Sequence, residues 1–299
     1  MSILVAGGCG FIGSHLIKKL VEMEERVIVF DSNPNLVLLG SVAEKVEVVK
    51  GDATQMVDIL QAIKQYQVKE VYHLIALMAD VCQKKPFLAL KVNVETLLNF
   101  LEAARLMALK KIIFASSVAV YNASEPAPVG DEAPTNPSSI YGATKVAGEY
   151  FGLHYHRNFG VDFRALRFTT IYGPGKSTGF TGICGLMIEK SARGEAVQGD
   201  FRNAVTDWLY IKDAVNSLLL IRNKTGPSRV YNIGGSSHSV GEVAGIVKKV
   251  LPGAQISLEA KQLFPWPPSY SWNRAKTELG YKPFFDIEAG VRDFIAEVR

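Results

Sequence analysis

Cysteine is scarce in this chain of 299 residues, and Cys9, Cys82 and Cys184 are odd in number and spaced unlike a disulfide framework or a zinc site. They read as buried or half-buried thiols of a protein kept in a reducing cytoplasm. Long hydrophobic runs are missing as well. No stretch reaches the roughly eighteen consecutive apolar residues of a membrane-spanning helix, so no membrane partner is expected. The opening MSILVAGGCG has neither a basic leader nor a small-residue cleavage pattern, so no secretion signal is expected. Charge of one sign is not concentrated either. The formal net charge is +4, and the basic residues come in scattered pairs such as Lys84 with Lys85 and Lys110 with Lys111. A nucleic-acid binder would cluster them with aromatics on one face, so nucleic acid is excluded as an expected partner. Nor do His, Cys and carboxylates gather at ligand spacing, and no metal is expected.

What the chain has is apolar residues, 48% of the total, enough for one large core with an appended lobe. Apolar runs at 3–6, 27–30, 46–49, 70–74 and 111–115 read as buried strands. Between them, 12–23, 56–66 and 87–107 carry apolar residues at three- and four-residue spacing and read as helices. This βαβα alternation predicts an α/β fold with a Rossmann-type doubly wound parallel sheet. A polar, Pro-rich loop over 122–138 precedes a helix at 139–156 and a strand at 163–168. Past residue 172 the chain is Gly-rich, with short strands expected at 208–211 and 230–233 and helices at 183–192, 213–221 and 240–250. Residues 1–170 are therefore expected to form the cofactor-binding domain, with later segments returning to it. Residues 171–299 are expected to form mainly a smaller substrate-binding lobe.

Gly7, Gly10 and Gly13 stand in GGCGFIG, directly after the first strand and before the first helix. Each has its own reason: a tight turn, close approach of a pyrophosphate to the backbone, and tight helix-on-strand packing. The helix N-terminus then offers amides and a positive dipole to the phosphates. Asp31 ends the second strand in VIVFD, where a carboxylate accepts ribose hydroxyls and repels a 2′-phosphate. No Lys or Arg follows before Lys45, so NAD is favoured over NADP. Asp52, in GDAT, either contacts the adenine amino group or caps the next helix.

Tyr141 and Lys145 lie four residues apart in YGATK at the start of a helix, so they project from one face. A tyrosine at its ordinary pKa of about 10 is a poor base at neutral pH, and a nearby ammonium would lower it. Lys145 could also hold the nicotinamide ribose. Ser117, in FASSVAVY at the C-terminal end of the fifth strand, sits where open α/β sheets bind ligands, and its hydroxyl could hold a substrate oxygen.

These segments together resemble the extended short-chain dehydrogenase/reductase superfamily, also described as NAD-dependent epimerase/dehydratase. The resemblance runs over essentially the whole chain through GGCGFIG, GDAT, VYHLIA, KVNVETLLNFLEAA, FASSVAVY, YGATKVAGE, LRFTTIYGPG, TDWLYIKDA, YNIGG and AKTELGYKP. It implies Tyr141 as acid/base, Lys145 as its modulator and ribose ligand, and Ser117 as the group that polarises the substrate. It also implies cofactor contacts from Phe11, Ile12, Ala53, Leu74 and Ala76, and a homodimer built on the helices at 87–107 and 139–156.

Most relatives act on nucleotide sugars, whose diphosphate calls for Arg. Here Thr170 stands where such enzymes tend to have Asn, and Thr206 where they have Arg; Arg274 resembles a residue on the surface of the following helix. FPWPPSYSWNRAK instead resembles a segment of short-chain-type L-threonine dehydrogenases and related small hydroxy-acid dehydrogenases. HLIALMADVCQKKP resembles their substrate loop, with Ala79 at a position expected to hold Ser. The resemblance implies that Trp266 caps a small pocket and that Thr181, in GFTGICGLM, contacts substrate. As structural alternatives, Trp266 packs on the core and Thr181 caps the next helix. The expected reaction is hydride transfer between NAD and a small polar secondary alcohol or a hydroxy or amino acid. The alternative is a nucleotide-sugar epimerase or dehydratase.

Overall fold

The computed structural model describes residues 2–176, 181–224 and 226–299, so Gly179 and Phe180 of the GFTGICGLM segment lie outside the described residues. The chain begins β1 (Ser2–Ala6), α1 (Phe11–Glu22), β2 (Arg26–Asp31), β3 (Glu47–Lys50), α2 (Met56–Tyr66) and β4 (Val68–His73). Next come α3 (Ala79–Lys84), α4 (Pro86–Ala89), α5 (Thr96–Met107), β5 (Lys111–Ser117), α6 (Ile140–Phe159), β6 (Phe163–Phe168) and β7 (Thr170–Tyr172). The remainder is α7 (Gly182–Ala192), β8 (Val197–Gly199), β9 (Val205–Tyr210), α8 (Ile211–Asn223), β10 (Val230–Ile233), β11 (Ser236–Ser239), α9 (Val240–Val250), β12 (Ile256–Leu258) and α10 (Ile287–Val298).

Seven strands pair in the order β3-β2-β1-β4-β5-β6-β10, and every pair is parallel. Such a sheet must be covered on both faces, and the period-2 pattern of β1 shows how. Ile3 and Val5 join the cluster built with α1 and α8, while Leu4 and Ala6 join the one built with α2 and α5. The order reverses between β1 and β4, so the loops leaving those two strands diverge and open a crevice at the C-terminal edge. β10 returns from the last third of the chain to pair with β6. The remaining strands form two small sheets, β11-β9-β7 and β12-β8.

Three local features differ from the sequence expectation. The helix expected over 87–107 is interrupted by a π-helical stretch at Leu90–Glu95. The loop expected around Ala79 contains α3, which puts Ala79 at the first position of a short helix, exposed to solvent. Asp52 does not cap α2: that helix opens on Gln55, and the Asp52 carboxylate accepts from Thr54 N at 2.9 Å in a turn ahead of it. No helix among the described residues is long and apolar enough to cross a membrane.

Candidate active site

The crevice between β1 and β4 is lined by glycine for a steric reason. Gly7 has φ +77°, and a Cβ there would stand 3.1 Å from the Ile75 nitrogen, in the loop that leaves β4 through Leu74 and Ala76. At Gly13 a Cβ would meet the Gly7 carbonyl oxygen at 2.6 Å and the Gly8 Cα at 2.7 Å, so α1 reaches the turn only with glycine there. Gly10 is the N-cap of α1, with no side-chain cap and no acidic residue in the first turn. The amides of Phe11, Ile12 and Gly13 thus open a helix whose positive end faces the crevice. Asp31 holds its carboxylate against the same turn, accepting from Cys9 N at 3.3 Å and from Asn33 N at 3.1 Å. Past the end of the neighbouring β3, Ala53 is buried and its carbonyl accepts from Asn99 Nδ2 at 3.0 Å. Free amides at a helix N-terminus and a carboxylate at the end of β2 are groups that suit the pyrophosphate and ribose of a dinucleotide.

At the far end, Ser117 closes β5, and its Oγ accepts from Ala119 N at 3.1 Å. Ser139 caps α6, accepting from Gly142 N at 3.1 Å, and so fixes the turn that carries Tyr141. A Cβ on Gly142 would lie 2.1 Å from the Ala119 carbonyl oxygen, so α6 sits directly on the turn that follows Ser117. The Ser117 hydroxyl acts on the Tyr141 phenol and works against the rise that burial causes in its pKa. Lys145, one helical turn on, is buried with Nζ 5.6 Å from the Tyr141 ring centre and donates to the Ala115 carbonyl at 2.7 Å. The three predicted catalytic residues are brought together.

Their electrostatics depart from expectation in one respect. Burial brings the Lys145 ammonium down to about 8. Burial also pushes the Tyr141 phenol up to about 12, against the downward shift expected from a neighbouring ammonium. The Ser117 hydroxyl offsets part of that rise, and Lys145, brought down to about 8, has lost its charge before the phenol ionises.

Asn93, which was not singled out from the sequence, is hydrogen-bonded to the helix that carries Tyr141 and Lys145. It lies in the π-helical stretch, fully buried, with Oδ1 accepting from Leu77 N at 2.7 Å. Its Nδ2 donates to Leu77 O at 3.1 Å and to Thr144 Oγ1 at 3.1 Å, and reaches Cys82 Sγ at 3.5 Å. Asn93 thereby ties the loop after β4 to α6 between Tyr141 and Lys145. The available signal was a buried-pattern asparagine inside an apolar helix, in KVNVETLL.

The expected substrate positions fall into two groups. Thr170 and Trp266 converge: Trp266 Nε1 donates to Thr206 Oγ1 at 3.1 Å, and Thr206 Oγ1 lies 2.7 Å from Thr170 Oγ1. Thr181 occupies the N-cap position of α7, but its hydroxyl makes no cap bond. Ala79 lies at the start of α3, which packs on α6, the helix that carries Tyr141 and Lys145. Two arginines near this end of the sheet are held by carboxylates: Arg167 pairs with Glu149 at 2.7 Å, and Arg274 pairs with Glu132. Among the described residues, no group of three or more His, Cys, Asp or Glu side chains is placed to hold a metal.

Comparison with known proteins extends these observations. The chain is 30% identical to a protein of Methanocaldococcus jannaschii named "Putative UDP-glucose 4-epimerase", over 97% of this chain and 96% of that one. Its fold matches an L-threonine dehydrogenase from Cupriavidus necator with TM-score 0.90 at 26% identity, covering all of both chains. It also matches a UDP-glucose 4-epimerase from Thermotoga maritima with TM-score 0.88 at 26% identity, over 99% and 98% of the two chains. Residues 3–234 match the NAD dependent epimerase/dehydratase family, and the chain belongs to that family of NAD-dependent enzymes, the extended short-chain dehydrogenases/reductases.

Proposed function

We propose that this enzyme is a dehydrogenase of a small polar secondary alcohol or of a hydroxy or amino acid, similar in pattern to L-threonine dehydrogenase. The observation that supports the reading is the hydrogen-bonded, uncharged set Trp266, Thr206 and Thr170, the last of them two residues past Phe168, the strand partner of Ser117, with Arg167 held by the buried Glu149 carboxylate. A sugar diphosphate needs cations or amides on its phosphates, and bidentate Arg serves best. A small alcohol needs none. In this reading Ser117 holds the substrate oxygen and Tyr141 moves the proton at that oxygen, with Lys145 beside it. NAD, when bound, supplies the hydride acceptor. Gly7, Gly10, Phe11, Ile12 and Gly13 hold its pyrophosphate, and Asp31 its adenosine ribose. Asp52 and Ala53 face the adenine, Leu74 and Ala76 border the cofactor, and Tyr141 and Lys145 meet the nicotinamide ribose. Ala79, Thr170, Thr181 and Trp266 border the substrate. Residues 1–170, with β10 returning to them, form the cofactor domain, and 171–299 form mainly the substrate lobe.

A second reading, a nucleotide-sugar epimerase or dehydratase, is supported by the likeness to the two UDP-glucose 4-epimerases. One assay separates them. The enzyme is incubated with NAD and L-threonine, small hydroxy acids, polyols or UDP-sugars, while NADH absorbance and sugar products are followed. Steady NADH formation with a small alcohol is expected. Conversion of a UDP-sugar without NADH release would establish the second reading instead.

We also propose a homodimer through the helices of 86–107 and α6. Phe87, Leu90 and Tyr150 expose their apolar surfaces there, Phe87 by 89% and Tyr150 by 72%. Sedimentation of the wild type against Phe87→Asp tests it: a dimer converted to monomer is expected, and a monomeric wild type would refute it.

A further inference from the structure

We infer that Thr206 and Thr170 are specificity-determining residues that act through Trp266, fixing its indole as a rigid, uncharged wall that limits the size of the molecule reaching Ser117 and Tyr141. The inference rests on the small-substrate reading above. It begins with placement. Phe168 is the register partner of Ser117 across β5 and β6, and Thr170 follows two residues later, about 7 Å along the chain. Thr170 lies on β7 and Thr206 on the neighbouring β9, and both residues are buried.

A hydroxyl has one proton and two acceptor positions, so Thr206 can accept the indole N–H while sharing a second hydrogen bond with Thr170. A buried hydroxyl left without partners is costly, which gives the indole a defined position. The ring is held from its face as well. Phe264 stacks on Trp266 at 4.8 Å and 7°, and Phe201 stacks on Phe264 at 5.2 Å and 17°. The backbone is stiffened too: Trp266 lies between Pro265 and Pro267, and the Pro268 carbonyl accepts from Ser237 Oγ at 3.0 Å on β11. An indole held at its edge, its face and its backbone cannot swing aside for a larger molecule. Thr206, Thr170, Phe264 and Phe201 are themselves uncharged.

Thr206→Val keeps the shape of the side chain and removes the acceptor; Thr206→Ser keeps the acceptor. The chain has three tryptophans, so the Trp266 indole N–H in 15N-labelled protein is assigned by its loss in Trp266→Phe. In Thr206→Val that signal is expected to shift and its exchange with water to quicken about tenfold, the effect of one lost hydrogen bond. The Trp208 indole, bonded to the His238 carbonyl, stays as it was. In steady state the kcat/KM ratio of the smallest to the largest accepted substrate is expected to fall about tenfold, through KM rather than kcat, with Thr206→Ser restoring it. An unchanged indole signal would overturn the anchor. A released indole with an unchanged size ratio would overturn the specificity role. If the wild type turns over only nucleotide sugars, the small-substrate reading fails and the inference with it, a result distinct from either of these.

Discussion

Arg167 grips the Glu149 carboxylate with two nitrogens, Nη2 to Oε2 at 2.7 Å and Nε to Oε1 at 2.9 Å, beneath the helix that carries Tyr141 and Lys145. Both side chains are buried. Ser116, the neighbour of Ser117, donates to the same carboxylate, and Arg167 Nη1 donates to the Tyr121 hydroxyl, which in turn donates to Asn232 on β10. One network therefore ties α6 to β5, β6 and β10. Breaking a buried pair leaves an uncompensated charge, so Glu149→Leu and Arg167→Met should each lose about 3–5 kcal/mol of stability. The double variant should lose less than either single one. Urea unfolding of the four proteins checks this, and a fully additive double loss would disprove the coupling.

Lys145 makes stability depend on pH in a specific direction. Its native pKa of about 8 lies below its ordinary 10.5. Between those values the unfolded chain holds more protons than the native one, so this group's contribution to stability rises with pH through that window. Below pH 8 the ammonium is charged in both states and its burial penalty applies in full. Lys145→Met is therefore expected to be more stable than wild type at pH 7 by about 1–3 kcal/mol, and inactive. The gap should close as pH approaches 10.5. Comparing variant with wild type at each pH cancels the opposing effect of tyrosines with raised pKa, which destabilise the native state as they ionise. A gap that is the same at pH 7 and pH 10 would contradict the assignment.

The central sheet was legible because parallel strands buried on both faces read as short apolar runs, and the helices between them keep their own period. The strand ends moved by only a few residues, as with Val68–His73 for the expected 70–74. The placement of the glycines at the turn before α1, and of Tyr141 and Lys145 on one helix after the strand-end Ser117, was legible because spacing and strand ends are local; the roles expected of them rest mainly on the family resemblance. Asn93 was not, since a π-helical stretch and a bond to a loop sixteen residues away leave no periodic mark. The rise of the Tyr141 pKa was also illegible. It comes from how much water the fold removes, whereas the spacing of YGATK records only that an ammonium is near.

Asp31 should govern cofactor choice. Its carboxylate is fixed by two amides at the rim of the cradle, where a 2′-phosphate would bring like charge. Asp31→Ala is expected to lower the NAD to NADP preference in kcat/KM at least about tenfold, equivalent to ~1.4 kcal/mol. Titration of each cofactor by calorimetry gives the same comparison without turnover. An unchanged preference would remove Asp31 from the recognition of the ribose.

Tyr141→Phe deletes the one hydroxyl proposed to move the proton and leaves the ring in place. Turnover is expected to fall about 10²- to 10⁴-fold, the usual contribution of a positioned acid or base, while NAD affinity changes little. Retained turnover would assign the proton transfer to another group.

Gly142→Ala tests the geometry of the site without deleting any functional group. The added Cβ would lie 2.1 Å from the Ala119 carbonyl oxygen, a backbone atom that cannot rotate away. α6 and the turn after Ser117 must then separate, and Tyr141 moves relative to Ser117. Displacement of a reacting group by about 1 Å costs about a hundredfold in rate, and that loss in kcat is expected here. The glycine cradle at α1 lies at the other end of the crevice, so NAD binding measured by fluorescence quenching should stay within about threefold of wild type. Loss of NAD binding together with turnover would instead mean that the variant had disturbed the whole fold, and thermal unfolding distinguishes the two. A variant that folds, binds NAD and turns over at the wild-type rate would show that the contact between α6 and the Ser117 turn does not position the catalytic pair.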